Sequence, residues 1–245
     1  MLKILAIGNS FSQDATRYLW QIAHADGFDL KVVNLYIGGC PLFRHFINIS
    51  RDSRDYALEF NGTNTQFNVS VKEALLSDEW DIVTLQQVSS LSDKYDTYQP
   101  YLDTLSEYVR EFAPKAKLYM HQTWSYKENS AGLNERMGYK NHLEMFEAVK
   151  PCYERAAADI RAAGIIPSGE AMANLYKLGV PVFHRDDIHA SLGLGRYTLA
   201  LTWYEYLTGN SIADNSFRDF DTEISDGEIE TAKKAAHSAA AGIAL

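Results

Sequence analysis

Cysteine is nearly absent from this chain: Cys40 and Cys152 are the only two in 245 residues. They lie far apart and match no metal or redox spacing, which excludes a disulfide framework and leaves the hydrophobic core to carry stability. Two buried free thiols are expected. Proline (6) and glycine (15) are too scarce for collagen-like or low-complexity architecture. Basic charge is in deficit, 23 Lys and Arg against 32 Asp and Glu for a net charge of −9, so no basic face is expected and nucleic acid is excluded as the main partner. Long apolar runs are missing too. No window approaches the roughly 20 residues of a membrane span. The run Leu2 to Ile7 is too short for a signal h-region and has no small-residue cleavage site behind it. The chain as given is expected to engage no membrane and to be cytoplasmic, an expectation that a removed leader would void.

What is present is the composition of a globular domain, 46% apolar and 22% charged. Short apolar runs alternate with helical stretches. Strands are expected at Lys3–Gly8, Lys31–Tyr36, Asp81–Gln86, Ala116–His121 and Gly164–Pro167. Helices are expected at Asp14–Ala25, where Tyr18, Leu19, Ile22 and Ala23 share a face, and near 70–78, 99–112, 141–163, 169–178, 191–208 and 225–242. The last helix opens on Ser225-Asp-Gly-Glu228, a capping-box pattern. Near-continuous apolar strands separated by helices imply a mainly parallel sheet covered on both faces. The expected fold is α/β, a three-layer α/β/α sandwich with a doubly wound five-stranded sheet of flavodoxin-like type. A single domain spans 1–245.

Two stretches interrupt that rhythm. Residues 41–68 are too long for a plain connection. They hold Tyr56-Ala-Leu-Glu-Phe60 followed by Asn61-Gly62, a hairpin signal, so an inserted hairpin or lid is expected there. Ser125–Gly138 is a long polar loop. Both follow strands, and ligands of open α/β sheets sit at the carboxyl ends of strands, so both are expected to border the site.

Four places carry residues suited to chemistry. At Gly8-Asn9-Ser10-Phe11-Ser12 a strand gives way to a helix. Ser10 can serve there as a nucleophile with backbone amides nearby, or Ser10 or Ser12 can simply cap the helix. In Asp186-Asp187-Ile188-His189 a carboxylate three residues ahead of an imidazole can fold back onto one ring nitrogen and leave the other free as a base. His184, Asp186, Asp187 and His189 can also be read as metal ligands, but their spacing matches no zinc signature. Gly38-Gly39 permits positive φ and close backbone approach. Gln86-Gln87 closes a buried strand, where an amide side chain needs partners. His121 and Trp124, after the fourth strand, also fall at the site edge, His121 as a substrate contact or as a satisfied structural ring.

Taken together, these blocks resemble the SGNH (GDSL-type) hydrolase superfamily. They are most similar to a branch known only as a domain of unknown function, with GNSFS in place of the usual GDS. The resemblance runs from Leu2 to about Gly209. It implies Ser10 as nucleophile, His189 as base, Asp186 as the group that orients the base, and Gly39 as an oxyanion donor. The family's usual Gly-x-Asn after the third strand is replaced by Gln86-Gln87-Val88-Ser89-Ser90. Gln87 takes the third oxyanion position, with Gln86 as its rival. Asn9 replaces the first-block Asp, which puts the hydrogen bonding around the nucleophile in question.

The resemblance further implies a serine esterase that needs no metal and no organic cofactor. Its expected substrate is a small acyl ester, acetyl above all. The polar insertion (Arg44, Arg51, Arg54, Asp55) and the Tyr and Trp content, Tyr56, Tyr95, Tyr98, Trp124 and Tyr126 among them, favour a carbohydrate ester over a lipid. The competing readings are a non-catalytic glycan-binding module on the same fold and a lipase or thioesterase of the same superfamily. A flavodoxin-like nucleotide binder would need a Gly-rich phosphate loop, which the sequence lacks. The sequence leaves the oligomeric state open.

Overall fold

The computed structural model describes residues 1–245. Seven strands form one sheet: β1 (Leu2–Gly8), β2 (Leu30–Tyr36), β3 (Tyr56–Phe60), β4 (Thr63–Val69), β5 (Ile82–Leu85), β6 (Lys117–His121) and β7 (Gly164–Ile166), in the order β4-β3-β2-β1-β5-β6-β7. β2, β1, β5, β6 and β7 are parallel. Ile4 to Ile7 in β1 and Ile82 to Leu85 in β5 are buried at consecutive positions, as strands covered on both faces should be.

Nine α-helices accompany the sheet: α1 (Ser10–Thr16), α2 (Leu19–Ala25), α3 (Leu42–Arg51), α4 (Val71–Leu76), α5 (Tyr101–Phe112), α6 (His142–Asp159), α7 (Ser168–Lys177), α8 (Leu194–Thr208) and α9 (Asp226–Ala241). α1, α2, α7, α8 and α9 pack together in one group and α3, α4 and α5 in another, while α6 lies on β6 and β7. Local chemistry explains their limits. In α5, Leu102, Leu105, Ser106 and Val109 are buried on one stripe at helical spacing. Ser70 with Glu73 and Ser225 with Glu228 close complete capping boxes at α4 and α9. No helix is long and apolar enough to cross a membrane.

The expected five strands become seven because the hairpin expected within 41–68 joins the sheet. That segment opens with α3, which ends on Asp52 in the left-handed region (φ 49°). The hairpin β3–β4 follows and joins the sheet, β3 pairing antiparallel with β2. Asn61 and Gly62 both take positive φ at its turn (50° and 79°), the geometry of a two-residue hairpin loop. β4 becomes the edge strand, and its residues are mostly exposed. The helix expected over Asp14–Ala25 is likewise two helices. The break at Tyr18 buries its ring, and the phenol donates to the Leu192 carbonyl (2.6 Å) and accepts from the Asp221 amide (2.7 Å).

Without the hairpin, the strand order is β2-β1-β5-β6-β7. The chain leaves β1 for β2 on one side and enters β5 on the other, so a crevice opens at the carboxyl ends of β1 and β5. Ser10 follows β1, Gly38-Gly39 follows β2 and Val88–Ser90 follows β5, so all three reach this one edge.

Candidate active site

β1 stops at Gly8 because the next residue caps a helix. Asn9 is extended (φ −145°, ψ −152°), and its side-chain oxygen accepts from the Phe11 amide at 3.0 Å. Ser10 is therefore the first residue of α1 and stands at the sheet edge, half-buried. A Cβ on Gly8 would lie 2.5 Å from the Ser12 hydroxyl and 2.7 Å from Gln86 Oε1, so only glycine lets α1 start this close to the strand. Ser12 is fully buried, and its hydroxyl donates back to the Asn9 carbonyl (2.9 Å). Ser10 is the serine that faces the cleft.

The Ser10 hydroxyl donates to His189 Nε2 at 2.9 Å. His189 Nδ1 lies 2.8 Å from Asp186 Oδ2, while Asp186 Oδ1 accepts from the amides of Ile188 (2.9 Å) and His189 (2.8 Å). Partial burial opposes the charge on Asp186. The two amides and the imidazole outweigh it and hold the carboxyl down at about 2. Ionised Asp186 can only accept, so Nδ1 carries the ring proton and Nε2 presents a lone pair to Ser10.

The metal reading of this loop gathers no ligand set. His184 is buried, with Nε2 2.9 Å from the Ser125 carbonyl, and Asp187 turns away to accept from the Gly132 amide (2.9 Å). No group of three or more His, Cys, Asp or Glu side chains is placed to share an ion.

A second ion-pair system ties this loop to the helix that carries Ser10. Asp14, on α1 and fully buried, accepts from Arg185 (2.7 and 2.8 Å), from Arg196 (2.8 Å) and from the Ala190 amide (3.2 Å). Arg185 and Ala190 bracket the residues Asp186 to His189. Arg196 reaches on to Asp221, which also binds Arg17. The sequence reading missed Asp14, which carries no motif.

Gly39 takes φ +62°, a left-handed conformation, while an added Cβ would meet nothing within 4 Å. Conformation rather than space selects glycine there. The amides of Ser10 and Gly39 have no hydrogen-bond partner in the protein, and both residues line a cleft of about 310 Å³ with His189.

The two glutamines expected to contribute the third oxyanion donor do not reach that cleft with free groups. Gln87 is fully buried. Its carbonyl accepts from Leu42 and Val88 amides (3.0 and 2.9 Å), and its amino group donates to the Thr97 carbonyl and hydroxyl (3.1 Å each). Gln86 donates to Asn9 Oδ1 (2.8 Å) and accepts from His121 Nδ1 (2.8 Å).

His121 and Trp124 are buried in structural contacts as well: of the two readings of His121 the structure shows the satisfied ring, while Trp124 was expected at the substrate. His121 is fully buried, and its Nε2 accepts from the Ser168 hydroxyl (3.1 Å), which in turn accepts from Trp203 (3.1 Å). Burial lowers the His121 pKa to about 3 and keeps the ring neutral. Trp124 is fully buried, stacked on Phe11 with ring centroids 3.9 Å apart, and donates to the Ile188 carbonyl (3.0 Å) beside His189. Tyr56, Tyr98 and Tyr126 are buried too.

Asn9, in place of the family's Asp, closes this network. Its amino group donates to the Cys40 carbonyl at 3.1 Å and so links the nucleophile block to the residue after Gly39. A carboxylate there would set oxygen against oxygen.

Around the cleft stand residues that the sequence reading did not select: Tyr36, Val88, Ser90 and Arg136. The amides of Ser89 and Ser90, which line the same cleft, have no partner in the protein. Arg136 comes from the long polar loop, whose expected position beside the site was the only signal for it.

A family model described as "Domain of unknown function (DUF4886)" matches residues 3–239. The crystal structure of a DUF4886 family protein from Bacteroides uniformis is 36% identical, with 97% of this chain and 94% of that one covered and a TM-score of 0.91. A candidate SGNH hydrolase from Slackia heliotrinireducens is 25% identical over 83% of this chain and 97% of its own, with a TM-score of 0.58. An acetyl xylan esterase, AlAXEase, shares the fold at 14% identity, 82% and 98% coverage, and a TM-score of 0.54. No curated protein matches the chain.

Proposed function

The chain belongs to the DUF4886 family and has the fold of SGNH hydrolases, and from that premise we propose that it is a serine esterase that releases small acyl groups, acetyl above all, from carbohydrate esters. The observation that carries this reading is the unbroken line from the Ser10 hydroxyl through His189 to ionised Asp186, beside two unpartnered amides.

In this mechanism Ser10 Oγ attacks the ester carbonyl carbon while its proton passes to His189 Nε2. The carbonyl oxygen becomes an oxyanion held by the amides of Ser10 and Gly39. Such donors, aimed in advance, are worth about 2.7–4 kcal/mol each. The C–O bond then breaks, and the alcohol leaves with the proton from His189. A water molecule, deprotonated by the same nitrogen, attacks the acyl-serine. The acid departs and the proton returns to Ser10. Asp186 stays charged throughout and stabilises the imidazolium.

The cleft supports a small substrate. At about 310 Å³ it lies at the low end for ligand sites. Gly38, Gly39, Ser89 and Ser90 share its wall with Phe11, Tyr36, Val88 and Ile188, and the small volume is what favours a short acyl group over a long chain. The fold also hosts an acetyl xylan esterase.

The test is hydrolysis of p-nitrophenyl acetate, butyrate and octanoate by wild type and Ser10→Ala. The expected result is acetate turnover that falls steeply with chain length and drops to background in the variant, unaffected by EDTA. Activity that survives Ser10→Ala would overturn the nucleophile. Equal rates on acetate and octanoate would overturn the short-acyl assignment.

A further inference from the structure

Arg136 is an arginine without a carboxylate. No Asp or Glu oxygen lies within 4 Å of it in a chain of net charge −9, and it lines the same cleft as Ser10 and His189. Its one hydrogen bond runs from Nη2 to the Tyr126 hydroxyl at 3.1 Å, with the guanidinium carbon 5.5 Å from the centre of that ring. A guanidinium has five N–H donors in a fixed fork, so most of this one is uncommitted. Among the residues that line the cleft, Arg136 carries the only permanent charge, and no carboxylate shares the wall.

The arginine is also held in place. Tyr126 is fully buried, and its hydroxyl is bonded to the Ser89 hydroxyl (3.0 Å), beside the unpartnered Ser89 and Ser90 amides. Arg136 ends a single π-helical turn, Gly132–Arg136, a form concentrated at functional sites. Asp187, the neighbour of the triad carboxylate, anchors that turn: its Oδ2 accepts from the Gly132 amide (2.9 Å), and its carbonyl accepts from the Lys127 amide (2.8 Å). The loop that carries the arginine is thus registered against the loop that carries the base.

We infer that Arg136 is a specificity-determining residue that binds an oxyanion on the substrate, so that the natural ester is anionic: an acylated sugar acid, its carboxylate taken by the guanidinium fork. This rests on the esterase reading above. The fork fits a carboxylate or a phosphate with two parallel hydrogen bonds, and the experiment separates these two sources.

Three acetylated methyl glycosides would be compared: the tri-O-acetyl glucuronate, its neutral uronamide, and the tri-O-acetyl glucoside 6-phosphate. Wild type should favour the uronate over the uronamide by roughly tenfold in kcat/KM, mainly through KM, as a charge-assisted hydrogen bond at a partly exposed site would give. In Arg136→Gln the ratio should fall close to one, and Arg136→Lys, which keeps charge but loses the fork, should lie between. A higher rate on the phosphate would keep the anion site and move the source from a sugar acid to a sugar phosphate. Equal rates on uronate and uronamide, a preference that survives Arg136→Gln, or refusal of all three by an enzyme that turns over p-nitrophenyl acetate would overturn the inference. Absence of Ser10-dependent p-nitrophenyl acetate hydrolysis would instead overturn the esterase reading, so the two failures are distinct.

Discussion

Asp14, one helical turn beyond Ser10, grips Arg185, the residue that precedes Asp186, with Arg185 Nη1 2.8 and 2.7 Å from its two oxygens. Ser10 and His189 are 179 residues apart in sequence, and a local turn cannot align them. The Asp14 clamp makes the join in the buried interface behind the reacting atoms. Because the carboxylate is fully buried, Asp14→Asn leaves two arginines facing a neutral group. Breaking a buried pair costs about 3 kcal/mol. A lower urea midpoint and a reduced kcat/KM are expected together, with Ser10 and His189 both intact. Unchanged stability would mean that the clamp is replaceable by solvent.

Asp186 does a different job, and its substitution separates alignment from folding. Its side chain is half exposed, which screens its charge, so Asp186→Asn should move the urea midpoint much less than Asp14→Asn. The asparagine oxygen would still accept from the Ile188 and His189 amides, which turns its NH₂ group toward His189 Nδ1. That nitrogen would then have to accept, the proton would move to Nε2, and the ring could no longer take a proton from Ser10. The expected loss is roughly 10³- to 10⁴-fold in kcat, as for other triads with the wrong tautomer. A loss confined to KM would contradict this account.

Ser10, Asp186 and His189 could be picked out in the sequence because the segments that carry them are made locally. Gly8-Asn9-Ser10 is a strand end with its own cap, and Asp186-x-x-His189 closes a turn within four residues. The parallel strands were equally legible, since strands buried on both faces are written as apolar runs. The oxyanion side was not. Gln86 and Gln87 are adjacent at a strand end and turn to opposite sides, one toward Asn9 and His121, the other toward Thr97 and Leu42. Those partners are distant in sequence, so residue type alone could not say that both amides were already satisfied. Trp124 had the composition of a sugar platform, but Phe11 covers it. The hairpin signal at Asn61-Gly62 was visible, whereas its partner β2 is a non-local choice, hence seven strands rather than five. Arg136 sits on a π turn, which has no periodic signature to read.

Four buried histidines set the acid stability. Burial lowers the pKa of His45, His121 and His184 to about 3 and that of His142 to about 4. In the unfolded chain each would titrate near 6.5. The unfolded state therefore binds more protons below that value, and the stability these rings contribute is present above about pH 6.5 and lost as pH falls toward 4 and 3. Each ring withdraws roughly 1 kcal/mol between pH 6 and pH 5. Urea midpoints should be flat above pH 7 and fall steeply through that interval, well above the range where Asp186 protonates. His45→Gln, which removes one titrating ring, should reduce the slope by about a quarter. A slope unchanged by this substitution would show that other groups drive the acid transition.

The buried chain from Trp203 through Ser168, His121, Gln86 and Asn9 to the Cys40 carbonyl runs in one direction, each member donating to the next. That direction depends on His121 being neutral with its proton on Nδ1. Gln86→Leu removes the centre of the chain. It strands the His121 Nδ1–H in the core, where a buried donor without a partner costs about 1–3 kcal/mol, and it takes one of the two donors from Asn9 Oδ1. Asn9 would keep its bond to Phe11 and so still cap α1, but its hold on the Cys40 carbonyl, and through it on Gly39, would loosen. The expected result is a loss of about 2 kcal/mol in urea unfolding with a kcat that falls by less than removal of an oxyanion donor would cause, roughly tenfold against the 10²–10³ of a direct contact. A full hundredfold loss of kcat at unchanged stability would instead mean that Gln86 holds the oxyanion itself, and that the cleft rearranges around substrate to expose it.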